Sequence, residues 1–219
     1  MNNYILHLET ATKVCSVALS KNGVILSSRE EVADGFIHSE ALTLFIEAVM
    51  SEANVLLSDL SAISISSGPG SYTGLRIGLS TAKGLCFALN IPLISVETLT
   101  ALKELASNQD LNVIPLLDAR RMEVYAQVFA SNGTILQTLD AIELDATTFS
   151  EFEPFLVCGD GAAKCKEMWN DRNIIWKEDL LCSAKAQAKI AFEKFQLKEF
   201  ENLAYFTPIY LKDANGVRR

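Results

Sequence analysis

Short apolar runs alternate with polar turns along the chain. Tyr4 to Leu8 is an apolar run tipped by Glu9. After a short turn a second run follows from Val14 to Leu19, and Asn22-Gly23, a residue pair suited to a tight hairpin, leads into Val24-Ile25-Leu26. This order predicts a three-stranded meander. The same order recurs later: Val113 to Leu117 is tipped by Asp118, Glu123 to Phe129 follows a turn, and Asn132-Gly133 leads into Thr134-Ile135-Leu136. The second set lies about 110 positions after the first, half of the 219-residue chain, so the pattern predicts two lobes of related topology.

Helical spacing takes over after the first meander. From His38 to Ala53, Leu42, Phe45, Ile46, Val49 and Met50 recur at three- and four-residue steps. Ala62 to Ser66 reads as a buried strand, Tyr72 to Leu89 as a second helix, Ile91 to Val96 as a strand and Leu99 to Ser107 as a helix. Three strands followed by helix, strand, helix, strand and helix make a ribonuclease-H-like lobe. The second half begins the same way and then loses regularity. Phe155 to Cys158 predicts a strand, Ala162 to Asn170 and Ser183 to Phe195 predict helices, and Phe206 to Leu211 an extended tail. The expected fold is α/β with two ribonuclease-H-like lobes, 1–108 and 109–219, the second reduced.

Composition narrows the function classes. Hydrophobic residues make up 49% and charged residues 21%, the mix of a packed globular chain. The net charge of −8 opposes strong direct binding of a polyanion, so any RNA is expected to be held by a partner. The N-terminus lacks a basic stretch and its apolar run is broken by Glu9, which predicts neither signal peptide nor anchor, and no apolar stretch reaches the length of a membrane span. Cys15, Cys86, Cys158, Cys165 and Cys182 contain no CxxC pair and predict reduced core thiols of a cytoplasmic protein. His7 and His38 are the two histidines. A metal pair on one helix face would need a second His four residues after His38, where Leu42 stands, so no metal site is expected.

Three groups of residues carry candidate chemistry. Acid-tipped strands in two such lobes resemble the sugar kinase, heat-shock cognate and actin superfamily, whose cleft turns hold metal and nucleotide phosphates. Here the first turn, Glu9-Thr10-Ala11-Thr12, has no glycine to bring backbone amides close to phosphate, and Glu9 and Asp118 serve equally well as strand-end caps. Gly68-Pro69-Gly70-Ser71-Tyr72-Thr73-Gly74-Leu75-Arg76 follows a strand and opens a helix, so it can present amides to an anion; it can also be a tight turn that binds nothing. It matches neither the P-loop nor the dinucleotide spacing. Arg120 and Arg121 beside Asp118 are expected to form a structural clamp rather than a substrate site. Finally, Gly74, Gly78 and Ala82 make a flat helical stripe in a helix where each glycine costs about 1 kcal/mol relative to Ala. The stripe packs either against the Leu42 to Met50 helix or against a second molecule. With Leu42, Phe45, Ile46, Val49 and Met50 it is the expected partner interface.

SGPGSYTGLRIGLSTAKGL, IPLISVETL, DARRMEVYA, the opening LETATKVCSVAL and the closing PIYLKD resemble the TsaB family of bacterial tRNA threonylcarbamoyladenosine biosynthesis proteins. The matches span both halves. Glu9 departs from the usual Asp, and the tail ends in Val217-Arg218-Arg219 rather than a Lys-rich stretch. The resemblance implies a non-catalytic, cofactor-free subunit of the complex that adds threonylcarbamoyl to the adenosine beside the anticodon of tRNAs reading ANN codons. It further implies a catalytic paralogue of the TsaD type, a small ATPase of the TsaE type, pairing with itself when alone, and tRNA reached only through the complex. Rival classes are a nucleotide-sensing module and a free-standing cleft enzyme, either a small-molecule kinase or a glycoprotease-like peptidase.

Overall fold

The computed structural model describes residues 2–32, 38–106 and 110–212. The lobe boundary expected at 108/109 and the tail residues 217–219 lie outside that set. Among the described residues, ten strands form two five-stranded mixed sheets. The first contains β1 (Tyr4–Glu9), β2 (Val14–Lys21), β3 (Val24–Val32), β4 (Leu60–Ser66) and β5 (Leu93–Val96), in the order β3-β2-β1-β4-β5. The second contains β6 (Asn112–Asp118), β7 (Glu123–Phe129), β8 (Ile135–Glu143), β9 (Phe155–Cys158) and β10 (Ile174–Lys177), in the order β10-β9-β6-β7-β8. The two orders are the same when read by role: a meander, then parallel strands added beside its first member. Both repeated meanders form where the Asn-Gly pairs predict them.

Helices α1 (His38–Glu52), α2 (Tyr72–Leu89), α3 (Thr98–Ala106) and α4 (Gln187–Leu197) complete the regular structure. The chain divides into two compact units. The first comprises Met1–Ala101 and Cys182–Ile209; the second comprises Leu102–Leu181 and Tyr210–Arg219. The change of unit falls within α3, and the chain re-enters the first unit at Cys182, where a single switch between halves was expected.

In the first unit, alternation along the strands sorts side chains onto two unlike faces. Leu6, Leu8, Cys15, Val17, Leu19, Ile63 and Ile65 join Leu42, Ile46, Val49 and Met50 of α1 and Leu79, Ala82 and Cys86 of α2 in one apolar core. The intervening positions carry polar residues beside Ile5, Ala18 and Ala62: His7 and Glu9 on β1, Ser16 and Ser20 on β2, Ser64 and Ser66 on β4, all buried. This second face is covered by the returning segment, with the Ala184 amide donating to Ser16 Oγ at 3.0 Å and Gln187 buried over β1 and β4.

The second unit keeps all five strands; its helical layer is what is reduced. Ile114, Leu116, Val124, Ala126 and Val128 pack against Phe149, Phe155 and Trp169. The predicted helix from Ala162 to Asn170 is only a single 3-10 turn, Ala162–Lys164, followed by turns. Trp169 takes the place of a helix face: it is fully buried, edge-on to Phe149 and Phe155 at ring separations of 6.2 Å. Arg172 lies over its ring at 4.6 Å, donates from Nε to Glu153 at 2.5 Å and donates to the Thr148 carbonyl at 2.9 Å.

Candidate functional site

Two strand-end turns, one in each unit, carry the residues singled out in the sequence. In the first unit the turn after β1 and the glycine turn after β4 close on each other. The Ser71 amide donates to the Ala11 carbonyl at 2.6 Å, and Ser71 caps α2 by accepting from the Gly74 amide at 3.2 Å. A β-carbon on Gly70 would lie 2.7 Å from the Ala11 Cβ; one on Gly74 would overlap the Thr10 carbonyl, and one on Gly78 would overlap the Thr10 hydroxyl. The glycines are therefore spaced to seat the protein's own backbone. Of the two roles left open for the glycine turn, the structure shows the packing role, and the Ser71 amide is already engaged.

Glu9 is turned inward. It is fully buried, its Oε1 accepts from the Ala11 amide at 2.7 Å and its Oε2 accepts from Ser66 Oγ. Burial pushes the carboxyl above its ordinary value, although the hydrogen bonds from Ser66, Ala11 and Gln187 pull the other way. Thr10 is buried as well. As cleft ligands, Glu9 and Thr10 are corrected: both are interior groups holding the turn.

Glu9 ends a chain of buried hydrogen bonds that the sequence reading missed. Gln187 Nε2 donates to Ser66 Oγ at 3.1 Å and to the Leu8 carbonyl at 2.9 Å, while Gln187 Oε1 accepts from Ser64 Oγ at 2.7 Å. Since Ser64 gives its one proton to Gln187, His7 donates from Nδ1 to Ser64 at 2.6 Å and accepts at Nε2 from Ser20 at 2.7 Å. Burial pushes His7 down to about 3, so it is neutral. The signal was present as polar residues at alternate positions, His7 and Glu9 on one strand and Ser64 and Ser66 on its parallel neighbour, with His7 opposite Ser64 in register.

The expected partner interface also divides differently. Leu42, Ile46, Val49, Met50, Gly74, Gly78 and Ala82 are buried inside the first unit, and Phe45 is half-buried. They cannot form a surface seam, because they already fill the core under the sheet. The outward positions of the same helices include Leu44, 63% exposed, among the polar residues Ser39, Glu40, Thr43 and Glu47 of α1, and Thr73, Arg76, Ser80, Gly84 and Phe87 on α2, with Phe87 82% exposed. Arg76 stacks on the Tyr72 ring at 3.9 Å. His38 bonds through Nε2 to the Thr12 carbonyl at 2.8 Å, an ordinary contact at a helix start.

In the second unit, the glycine turn after β9 repeats the relationship. The Gly161 amide donates to the Leu116 carbonyl at 3.0 Å, and a β-carbon on Gly159 would overlap that carbonyl. Asp118, however, stays exposed. Its Oδ1 accepts from the Arg120 amide and from Lys164 Nζ, both at 2.6 Å, and its amide donates to Asp160 at 2.9 Å. Arg120 and Arg121 are exposed at the hairpin tip. The five cysteines are buried thiols outside any disulfide; burial pushes Cys15 up to about 11 and Cys86, Cys158 and Cys165 up to about 12, so these four are protonated at neutral pH. Among the described residues, no group of three or more His, Cys, Asp or Glu side chains is placed to hold a metal ion, and no helix is long and apolar enough to cross a membrane.

A family model described as tRNA N6-adenosine threonylcarbamoyltransferase matches residues 36–217. The tRNA threonylcarbamoyladenosine biosynthesis protein TsaB of Escherichia coli (strain K12) is 34% identical over 128 residues, 55% of this chain and 52% of that protein. The TsaB of Buchnera aphidicola subsp. Schizaphis graminum (strain Sg) is 31% identical over 145 residues, 65% of this chain and 68% of that protein. The chain belongs to the TsaB family. It spans about half the length of the Escherichia coli TsaB. The solved structure of YeaZ from Pseudomonas aeruginosa superposes with a TM-score of 0.80 at 28% identity, covering 95% of this chain and all of that one. An activator of 2-hydroxyisocaproyl-CoA dehydratase from Clostridium difficile, solved with bound ADPNP, superposes with a TM-score of 0.50 at 11% identity over 92% of this chain. That likeness is one of fold alone.

Proposed function

We propose that this TsaB-family chain is an accessory, non-catalytic subunit of the assembly that adds threonylcarbamoyl to the adenosine beside the anticodon of tRNAs reading ANN codons. It binds and stabilises a catalytic paralogue of the TsaD type, with a TsaE-type small ATPase joining them, and pairs with itself when alone. The observation that carries this reading is the closed turn of the first unit. Where a nucleotide-binding relative needs open amides and an outward carboxylate, Gly70, Gly74 and Gly78 seat Thr10 and Ala11, and Glu9 points inward. A kinase reading loses its support there. The peptidase reading fares no better, since both serines bonded to His7 are fully buried beyond the reach of a substrate.

The pairing surface proposed is the outward stripe of α2, where Thr73, Ser80, Gly84 and Phe87 recur at helical steps, together with Leu44 of α1. Small residues admit a partner helix closely, and an exposed Phe supplies the apolar anchor. Co-expression with a TsaD-type paralogue tests the reading. A stable complex is expected, with tRNA modification requiring the paralogue. Modification by this chain and the threonylcarbamoyl donor alone would overturn it.

A further inference from the structure

The hairpin between β6 and β7 holds a backbone form that its residues do not favour. Arg120 has φ +70° and Arg121 φ +51°, the left-handed region suited to glycine and asparagine. Among the described residues it is the one place where two successive residues other than glycine adopt it; the hairpin between β2 and β3 uses Asn22-Gly23 instead. The tip is braced from beneath. Asp118 accepts from the Arg120 amide, Lys164 bridges Asp118 and the Glu123 carbonyl at 2.6 and 2.9 Å, and Lys212 donates to the Ala119 carbonyl at 3.1 Å while pairing with the Glu123 carboxylate. The Lys212 side chain is only 5% exposed.

Within this brace Lys164 faces Asp118 and Lys212 faces Glu123, while the Asp160 carboxylate accepts from the Asp118 amide. The Arg120 and Arg121 guanidinium groups stand apart from these pairs. Arg29 pairs with Glu52, Arg76 stacks on Tyr72 and Arg172 pairs with Glu153, whereas the Arg120 and Arg121 side chains form no ion pair or hydrogen bond with any described residue. The braced hairpin thus displays two adjacent, exposed forks of hydrogen-bond donors that no described residue engages.

We propose that the Arg120–Arg121 tip contacts the phosphodiester backbone of an RNA. The proposal rests on the reading that this chain works within a complex acting on tRNA, and it adds a direct contact by this subunit. A guanidinium matches phosphate with two parallel hydrogen bonds. Of the four residues from Ala119 to Met122, Met122 is the one exposed apolar residue, so the tip lacks the apolar centre that a protein interface uses. A net charge of −8 repels a polyanion from the rest of the surface, which makes a locally displayed basic pair the place where contact is favourable. Two contacts steer and register the RNA; its main hold comes from elsewhere in the complex.

The test uses the assembled complex with its paralogue and an unmodified tRNA, measuring affinity by fluorescence anisotropy over a salt series. The variant Arg120→Asn/Arg121→Gly removes both guanidiniums while installing residues that suit the turn, so folding is preserved. It is expected to leave the mass of the complex unchanged, to weaken tRNA binding at low salt about tenfold, and to lower the slope of log K against log salt by about 1.4 to 1.8, the release expected for two phosphate contacts. Arg29→Ala should leave the slope as it is. An unchanged slope and affinity would overturn the proposal, as would loss of paralogue capture by the variant, which would make the tip a protein contact. If the unaltered chain fails to pair with a paralogue, the reading of the complex falls, and the proposal, which places the main hold on the RNA in that complex, falls with it.

Discussion

The Thr10 carbonyl occupies the space that a β-carbon on Gly74 would need. With Gly78 against the Thr10 hydroxyl, this contact ties the first helix after the glycine turn to the turn after β1. Gly74→Ala or Gly78→Ala must push Thr10 aside in a packed interior, at a cost of about 1–3 kcal/mol. Gly84, with nothing within 4 Å of a β-carbon, should behave oppositely, with Gly84→Ala gaining about 1 kcal/mol of helix propensity. Urea midpoints of the three variants check this, and a neutral Gly74→Ala would show that the turn yields freely.

Burial separates two kinds of position on α1. Val49 is fully buried, so Val49→Glu places an unpaired carboxylate in the core and should cost several kcal/mol, giving an unfolded chain. Leu44→Glu and Phe87→Glu alter exposed side chains and should fold normally while losing partner capture. Circular dichroism with mass measurement in solution distinguishes the cases. Folded Leu44→Glu and Phe87→Glu that still capture the paralogue would move the interface off these helices.

The repeated meander was legible because Asn-Gly pairs and acid-tipped apolar runs are local signals. The return of α4 to the first sheet was not, since nothing between residues 110 and 180 marks where a distant helix docks. Its docking surface was also hidden. His7, Ser64 and Ser66 read as interruptions of apolar strands, and only the strand register reveals that they line one face with Gln187 across them. The glycine stripe was visible, but its target was not: spacing shows that something approaches closely, while the Thr10 carbonyl lies 64 positions away in sequence from Gly74. In the second unit, the predicted helix over Ala162 to Asn170 gave way to turns in which Trp169 and Arg172 close the core by aromatic and charged contacts that carry no periodicity.

Arg172 is the keystone of that layer. It stacks on Trp169, pairs with Glu153, and donates to the carbonyls of Thr148 and Ala146 at 2.9 and 3.3 Å. Arg172→Met keeps much of the stem but removes the Arg172 donor from Glu153 Oε1 and from two carbonyls, leaving Glu153 the Asn173 amide alone, for an expected loss of about 2–4 kcal/mol. Tryptophan emission should shift to the red at lower urea than in the parent chain, because Trp169 is fully buried and Trp176 lies 6.4 Å from it. Unchanged midpoints would mean that aromatic packing alone holds the layer.

His7 and Glu9 pull stability in opposite directions as pH changes. The His7 value falls from 6.5 to about 3 on folding, so its contribution is complete above pH 6.5 and is lost as pH drops toward 3, at a limiting slope of about 1.4 kcal/mol per unit. Glu9 is raised by burial, so its contribution is complete below its ordinary value near 4.5 and is lost as pH rises through the folded value. In the parent chain the two trends partly cancel across mildly acidic pH. Single variants separate them. Glu9→Gln should leave a chain whose urea midpoint climbs steadily from pH 4 to pH 6.5 and which gains stability at neutral pH, because the cost of a carboxyl held above its unfolded value is removed. His7→Gln, with an amide able to bond both Ser20 and Ser64, should leave the reverse trend, a midpoint that declines as pH rises above 4.5. Parallel pH profiles for the two variants would mean that neither group titrates within the folded chain as its burial requires.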